Sequence, residues 1–137
     1  MFKSTFGQSM DTEEKKLVWK VEKKYWGSIE GKDIKIYGSL LHPEFTDWPK
    51  FTDDPLGSSE GMLLFIGDLF RNHQDIQADI SPNKIRILDL YALVYLTVKI
   101  SLVDTSGTKK EENFRILHIW HKCNDKWLLL GGMQSGA

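Results

Sequence analysis

Two apolar runs flanking a tight-turn sequence constrain the fold of this chain more than any other feature. Residues 114–121 and 127–133 are rich in large apolar side chains, and residues 123–126, Cys-Asn-Asp-Lys, stand between them. Asparagine and aspartate tolerate the backbone angles of a tight turn. The sequence therefore predicts a β-hairpin over residues 114–135, and the rest of the chain has to fold around it.

Alternating hydrophobicity extends this hairpin into a larger sheet, because the apolar period is two from Asp75 onward. Short turn sequences separate the alternating segments, which is typical of an antiparallel meander. One face of segment 92–103 is apolar throughout, whereas the other face is mixed in polarity and meets either water or a cavity. The predicted strands cover residues 76–80, 85–88, 92–103, 114–121 and 127–133.

A helix is predicted before the sheet, from a capping Asp11, with Glu14 three residues later, to Gly31. Lysines cluster on the helix face opposite the apolar stripe, and Glu22 and other acidic residues stand near them. This mixture of charges indicates that the face is exposed to solvent. The stripe contains Leu17, Val18, Val21, Tyr25 and Ile29, and Trp19 and Trp26 lie along its edge, at the predicted rim of the core.

Two further helices are predicted. Asp33 caps the first, and His42-Pro43 ends it, because proline disfavours helical geometry in the residue before it. Ser58 or Ser59 begins the second, which is apolar enough to lie largely buried across a sheet. Helices followed by a strongly curved antiparallel sheet predict an α+β fold with a pocket between the two layers. The predicted buried positions are Ile34, Tyr37, Leu40 and Leu41 in the first of these helices, and Met62, Phe65, Ile66, Leu69 and Phe70 in the second.

Composition narrows the class of protein. The chain has 137 residues, 41% hydrophobic and 27% charged, which suits one domain over residues 11–137 behind a flexible tail over residues 1–10. The net charge of −1 gives no positive field for nucleic acid. No apolar run approaches the roughly 20 residues of a membrane span, and residues 1–10 lack the apolar core of a signal peptide. A cytoplasmic protein without nucleic-acid or membrane partners is therefore expected.

Three segments resemble the NTF2-like superfamily, which has a cone-shaped, cystatin-like α+β fold, and within it the SnoaL-like proteins. They are residues 40–49 (LLHPEFTDWP), 118–127 (HIWHKCNDKW) and 130–135 (LGGMQS). From Ile76 through the final Ser-Gly-Ala, the chain is also similar to the association domain of calmodulin-dependent kinase II. The resemblance implies three N-terminal helices packed on a curved antiparallel sheet, a pocket inside the cone, and a homodimer formed through the outer sheet face.

The resemblance to the kinase association domain also implies a set of pocket residues. Two of them, Lys99 and His118, are basic, whereas Gln134 is neutral, so anion binding is weakened but retained as an inference. The expected ligand is small and hydrophobic or weakly acidic. The implied pocket residues are Tyr37, Trp48, Lys99, His118 and Gln134, and Tyr95 and Trp120 are expected as further aromatic lining.

Catalysis is an alternative that the superfamily resemblance brings with it. Cyclase-like and isomerase-like members use a pocket carboxylate that precedes a proline after the second helix, but here that position is Trp48. Asp47 is expected on the opposite strand face, and Asp54-Pro55 lies in a predicted loop over residues 50–57. His118 is then the best general acid or base, with Tyr95 or Tyr37 as hydrogen-bond donor, unless it is a core histidine satisfied by a neighbour.

No metal site and no cofactor are expected. His118 and His121 are three residues apart on a predicted strand, which places their rings on opposite faces. His42 and His73 are expected at helix ends elsewhere, and Cys123 is expected to be a residue that flanks a turn. Phosphate-binding, dinucleotide and hydrolase motifs are absent from the sequence.

These observations leave three functions open: a small-molecule-binding homodimer of unsettled role, a cyclase-like or isomerase-like enzyme using His118, and an oligomeric assembly module. The first is favoured, because the usual catalytic acid is not found at its expected position.

Overall fold

The computed structural model describes residues 12–48 and 58–137. The predicted tail over residues 1–10, the predicted cap Asp11 and the predicted loop over residues 50–57, with its Asp54-Pro55 step, lie outside the described residues.

Three helices occur among the described residues, as predicted: α1 (Glu13–Glu30), α2 (Ile34–Ser39) and α3 (Ser59–Asn72). Thr12, and not Asp11, caps α1, because its hydroxyl accepts the Lys15 backbone N–H at 3.1 Å. Asp33 and Ser58 cap α2 and α3 in the same way, as the sequence predicts.

Five strands form one sheet in the order β1-β5-β4-β3-β2. The neighbouring pairs from β2 to β5 are antiparallel, which confirms the predicted meander, but β1 runs parallel to β5, so the sheet is mixed. The two strands predicted at 76–80 and 85–88 are a single strand with an irregularity between Pro82 and Lys84. The strands are β1 (Leu41–Trp48), β2 (His73–Leu88), β3 (Tyr91–Asp104), β4 (Lys109–Cys123) and β5 (Lys126–Gly136).

The core lies between the helices and the inner face of the sheet. Val94, Leu96 and Val98 point into it, as the alternation predicts. The predicted apolar stripe of α1 is displaced, because Leu17 is 54% exposed, whereas Trp19 and Trp26 are fully part of the core. Ile34 and Phe65 are also more exposed than predicted, and α3 is buried on one side only. No helix within the described residues combines the length and apolarity needed to cross a bilayer.

Two adjacent glycines allow β5 to fit between β1 and β4. A Cβ atom on Gly131, whose φ is +152°, would stand 1.7 Å from the Thr46 carbonyl oxygen. A Cβ atom on Gly132 would stand 1.8 Å from the Leu117 carbonyl oxygen. The glycine pair therefore accommodates the backbones of the two neighbouring strands. This packing fixes the register in which Asp47 faces Gly132.

Candidate functional site

A cavity of about 380 Å³ lies between α1, α3 and the inner face of the sheet. Its walls are mainly aliphatic and aromatic, and its polar groups are few. Lys110 and Glu112 form an ion pair of 3.1 Å and belong to its wall. The full lining is Tyr25, Trp26, Ile29, Asp47, Met62, Phe65, Ile66, Leu69, Ile100, Leu102, Lys110, Glu112, Phe114, Ile116 and Gln134.

Of the two acidic residues named in this cavity lining, Asp47 and Glu112, Asp47 is the buried one. It is 6% exposed and shares the inner face of β1 with Phe45, whereas Trp48 is 42% exposed. The expectation that Trp48 faces the pocket and Asp47 the opposite side is therefore wrong, because the alternation of β1 runs in the other phase. Burial raises the pKa of Asp47, although the nearby His118 and the backbone N–H of Trp48 partly oppose this shift.

A fully buried carboxylate, Glu22, lies beside the cavity wall. Its side chain is 0% exposed and accepts hydrogen bonds from three side chains of the described residues. The Trp26 indole N–H donates to Oε2 at 2.8 Å, and the Trp120 indole N–H donates to Oε1 at 2.9 Å. His118 Nδ1 lies 2.7 Å from Oε2. Buried acids are costly unless paired, so these donors are what allows Glu22 to stay in the core.

His118 is held as the cationic partner of this acid. It is 4% exposed, the Tyr25 ring meets it edge-on at 5.2 Å, and the Trp26 ring stacks on it at 6.1 Å. Burial alone lowers the pKa of His118, but the charge of Glu22, the hydrogen bond to it and the charge of Asp47 together raise it. A raised pKa favours the imidazolium, which donates from Nδ1 to Glu22.

Tyr25 and Tyr37 complete the buried polar cluster. Their hydroxyl oxygens are 3.1 Å apart, and either one can be the donor. Burial, reinforced by neighbouring acids, raises the pKa of Tyr25 well above its ordinary value, and burial likewise raises that of Tyr37. Both phenols are therefore neutral hydrogen-bonding groups, and only Tyr25 lines the cavity.

The structure divides the predicted pocket residues into three groups. Gln134 lines the cavity. Tyr37, His118 and Trp120 are buried, but they lie behind the lining residues and not in the wall.

Trp48, Tyr95 and Lys99 do not line the cavity. Tyr95 lies in a shallow groove on the outer sheet face, and Lys99 is half exposed and pairs with Glu111 at 3.7 Å. Tyr95 and Lys99 occupy the mixed-polarity face of β3, which faces outward, and Trp48 occupies the outward face of β1.

Sequence reasoning missed Glu22, Asp47 and Tyr25 as site residues. Glu22 carried a usable signal, because it stands four residues after Val18 and four before Trp26. That spacing places an acid in the middle of an apolar helical stripe, where a partner in the core is needed.

The fold and its cavity define the class of protein. Helices over one face of a curved mixed sheet are shared with an NTF2-like superfamily protein from Salmonella enterica subsp. enterica serovar Typhimurium (TM-score 0.77, 17% identity, 88% of this chain and 89% of that chain). A hub of calcium/calmodulin dependent protein kinase II from S. rosetta is also similar (TM-score 0.75, 18% identity, 89% and 95%). A candidate scytalone dehydratase from Novosphingobium aromaticivorans superposes with a TM-score of 0.83 at 9% identity (90% and 84%).

The family follows from the sequence itself. The model of the calcium/calmodulin dependent protein kinase II association domain matches residues 14–137, and the chain belongs to this family. No curated protein matches the chain.

Proposed function

We propose that this chain is a self-associating domain that binds a small, largely apolar molecule in the cavity above Asp47. The observation that carries this proposal is a cavity of about 380 Å³ with apolar walls and a buried carboxyl group among its few polar groups. Ligand pockets of proteins span about 300–1,000 Å³ and have this mixture of apolar wall and few polar groups.

The polar groups of the cavity indicate the chemistry of the ligand. Asp47 accepts from a ligand hydroxyl when it is ionised and donates to a carbonyl oxygen when it is protonated, and burial favours the protonated form by raising the pKa of this group. Gln134 offers a neutral amide on the same cavity wall. A small hydrophobic molecule with one hydroxyl, carbonyl or weakly acidic group fits these partners.

A matched pair of substitutions on α3 tests binding. Ile66 is 3% exposed and lines the cavity, whereas Leu64 is 70% exposed and does not. Calorimetric titration with 2-naphthol, a neutral aromatic hydroxyl probe, is expected to give saturable binding to the wild type and to Leu64→Phe. Ile66→Phe fills the cavity and is expected to lower the affinity at least about tenfold, provided that its circular dichroism matches the wild type. Equal affinities of the two folded variants would contradict binding in this cavity.

Self-association is supported by the family and by the outer sheet face. The matching family is an association domain, and one similar structure is described as a hub. On the outer face of the sheet, Tyr95, Leu117 and Met133 are neighbours across β3, β4 and β5, and Met133 is 54% exposed. An apolar strip of this kind fits a homodimer formed through the sheet.

Light scattering coupled to gel filtration tests the homodimer. The wild type and Leu64→Glu, which changes an exposed residue of α3, are expected to elute with the mass of two or more chains. Met133→Glu buries a charge at the proposed interface and is expected to elute with the mass of one chain. A wild type that stays a single chain at about 100 µM would refute the homodimer, because stable interfaces hold at that concentration.

Acid–base catalysis is a second candidate function, favoured by the position and pKa of Asp47. An acid with a raised pKa beside an apolar cavity can accept a proton from the carbon next to a ligand carbonyl and return it. His118 does not line the cavity, so its effect on this reaction is to lower the pKa of Asp47 through its charge.

Deuterium exchange into 2-tetralone measures this reaction directly. The wild type is expected to exchange the α-protons faster than buffer alone. Asp47→Asn is expected to return the rate to that of buffer, whereas Glu13→Gln, which changes an exposed residue of α1 outside the cavity, is expected to retain the wild-type rate. A wild-type exchange rate equal to that of buffer would refute acid–base catalysis by Asp47, while the proposal of ligand binding would stand.

A further inference from the structure

A second cluster of polar side chains lies on the sheet face opposite to the cavity. His121 and Cys123 are two residues apart in β4, so their side chains share a face, whereas the buried Trp120 just before them points inward. His42 of β1 reaches the same place from across β5. One ligand-type atom of each of these three residues lies within 4.8 Å of the others.

The distances within this cluster match those of a tetrahedral metal site. His42 Nε2 and His121 Nδ1 are 3.3 Å apart, and Cys123 Sγ is 3.2 Å from the same Nδ1 atom. Bonds of about 2.0–2.1 Å to nitrogen and about 2.3 Å to sulfur place tetrahedral ligands about 3.3 Å (N to N) and about 3.6 Å (N to S) apart. The two distances at His121 Nδ1 are therefore within about 0.4 Å of those that a tetrahedral ion requires, and the ligand atoms of the third pair, His42 and Cys123, lie within 4.8 Å of each other.

We propose that His42, His121 and Cys123 bind a Zn²⁺ ion. Two imidazole nitrogens and one thiolate form a borderline-soft ligand set that suits zinc and disfavours magnesium and calcium. Three protein ligands leave the fourth tetrahedral position open to water or to a ligand. The ion would join the edge strand β1 to β4 directly, across β5.

The surroundings of the ligands orient the two imidazole rings. The Tyr91 ring stacks on His121 with centroids 4.6 Å apart and planes inclined by 13°. The exposed Glu44 backbone N–H donates to His42 Nδ1 at 2.9 Å, which places the proton of the neutral ring on Nε2. Zinc at Nε2 requires this proton to move to Nδ1, so the His42 ring or the Glu44 backbone has to turn out of this contact when the ion binds.

The sequence-based expectation of no metal site was based on a different pair of residues. His118 and His121 do lie on opposite faces, because His118 is buried with Glu22 whereas His121 meets Tyr91. His42, however, is not at a helix end but is the second residue of β1, and the parallel pairing of β1 with β5 brings it to His121. The site is thus produced by a strand pairing that sequence alone did not predict.

Cobalt is the most direct probe, because Cys123 is the only cysteine in the chain. Tag-free protein stripped with a chelator is titrated with Co²⁺. The wild type is expected to show a thiolate-to-cobalt charge-transfer absorption and tetrahedral d–d bands that saturate at one ion per chain and disappear on adding Zn²⁺. Cys123→Ser is expected to lose the charge-transfer band.

Histidine variants distinguish the cluster from a cysteine that binds metal alone. His42→Gln and His121→Gln are expected to weaken cobalt binding at least about tenfold. His73→Gln, which changes a histidine that contacts the Leu69 carbonyl, is the control and is expected to bind as the wild type does.

Alkylation of Cys123 by iodoacetamide gives an independent readout on the same folded samples. Zn²⁺ is expected to slow it in the wild type and in His73→Gln, but not in His42→Gln. A wild type without a charge-transfer band at millimolar Co²⁺ would overturn the proposal, and so would His42→Gln and His121→Gln proteins that bind as tightly as His73→Gln.

Discussion

Replacing Glu22 by glutamine tests the buried network that supports the cavity. The glutamine side chain keeps the shape of glutamate, so it isolates the loss of one acceptor oxygen and of the negative charge. Its amide oxygen can still accept from Trp120, but its NH₂ group takes the place of Oε2, which accepts from Trp26 and His118.

The magnitude follows from counting these bonds. The Trp26 indole N–H loses its acceptor, and an unpaired buried donor costs about 1–3 kcal/mol. The bond to His118 changes from a charge-assisted bond to a neutral one, which removes roughly a further 1 kcal/mol. We therefore expect the free energy of unfolding to fall by about 3 kcal/mol near pH 6. With a urea slope of about 2 kcal/mol per molar, the unfolding midpoint falls by about 1.5 M.

The pH dependence gives a sharper criterion than the midpoint. The pKa of His118 is raised above its ordinary value of 6.5, so its contribution to stability is present below pH 6.5 and is lost as pH rises through the folded-state pKa. Burial is the largest influence on His118 and lowers its pKa, so without the Glu22 charge the slope reverses, and the variant loses stability as pH falls through 6.5.

Urea unfolding at several pH values between about 5 and 8.5 measures both effects. Glu13→Gln, on the same helix with its side chain 88% exposed, is the control and is expected to follow the wild type. A Glu22→Gln variant with the wild-type midpoint and the wild-type pH slope would refute the reasoning.

Three further predictions concern the cavity and the sheet. Because burial raises the pKa of Asp47 above its ordinary 3.8, the ionised form of Asp47 destabilises the folded state. Asp47→Asn is therefore expected to raise the urea midpoint at pH 7, and this gain is expected to vanish below pH 3.8. A midpoint of the variant below that of the wild type at pH 7 would contradict this prediction. Gly131→Ala forces a Cβ atom against a β1 carbonyl oxygen and is expected to lower the free energy of unfolding by roughly 3 kcal/mol or more. Gly136→Ala is the control and is expected to leave stability unchanged, because nothing lies within 4 Å of the added Cβ atom. Equal urea midpoints of the two variants would be inconsistent with the strand register. Tyr37→Phe leaves the Tyr25 hydroxyl without its partner and is expected to cost about 1–3 kcal/mol in the same assay, and no change would mean that this bond is replaced by another.

Local signals in the sequence predicted most of the elements. The caps Asp33 and Ser58 and the alternation of segment 92–103 depend only on neighbouring residues, and the structure confirms them. The α+β class and the NTF2-like resemblance are confirmed as well. The SnoaL-like assignment and the cytoplasmic location stay predictions.

The site was harder to predict because it depends on long-range pairing. Which of Asp47 and Trp48 faces inward is decided by the register of β1 against β5, which no local pattern in residues 40–49 encodes. Glu22 was assigned to a solvated face because it stands among lysines, although two of its three partners, His118 and Trp120, are 96 and 98 residues away. Local periodicity gives the elements, whereas the polar contacts of a core require the tertiary arrangement.

The position of β5 has a consequence for the order in which the chain can fold during synthesis. Residues 41–48 are translated well before residues 126–136, which form their neighbouring strand in the sheet as far as the structure describes the chain. More than half of the domain therefore has to be translated after Asp47 before the cavity wall that contains its carboxyl group can form. Nascent chains arrested before residue 126 should therefore expose this segment to chaperones, and the cavity should close only as the last strand is inserted between its two neighbours.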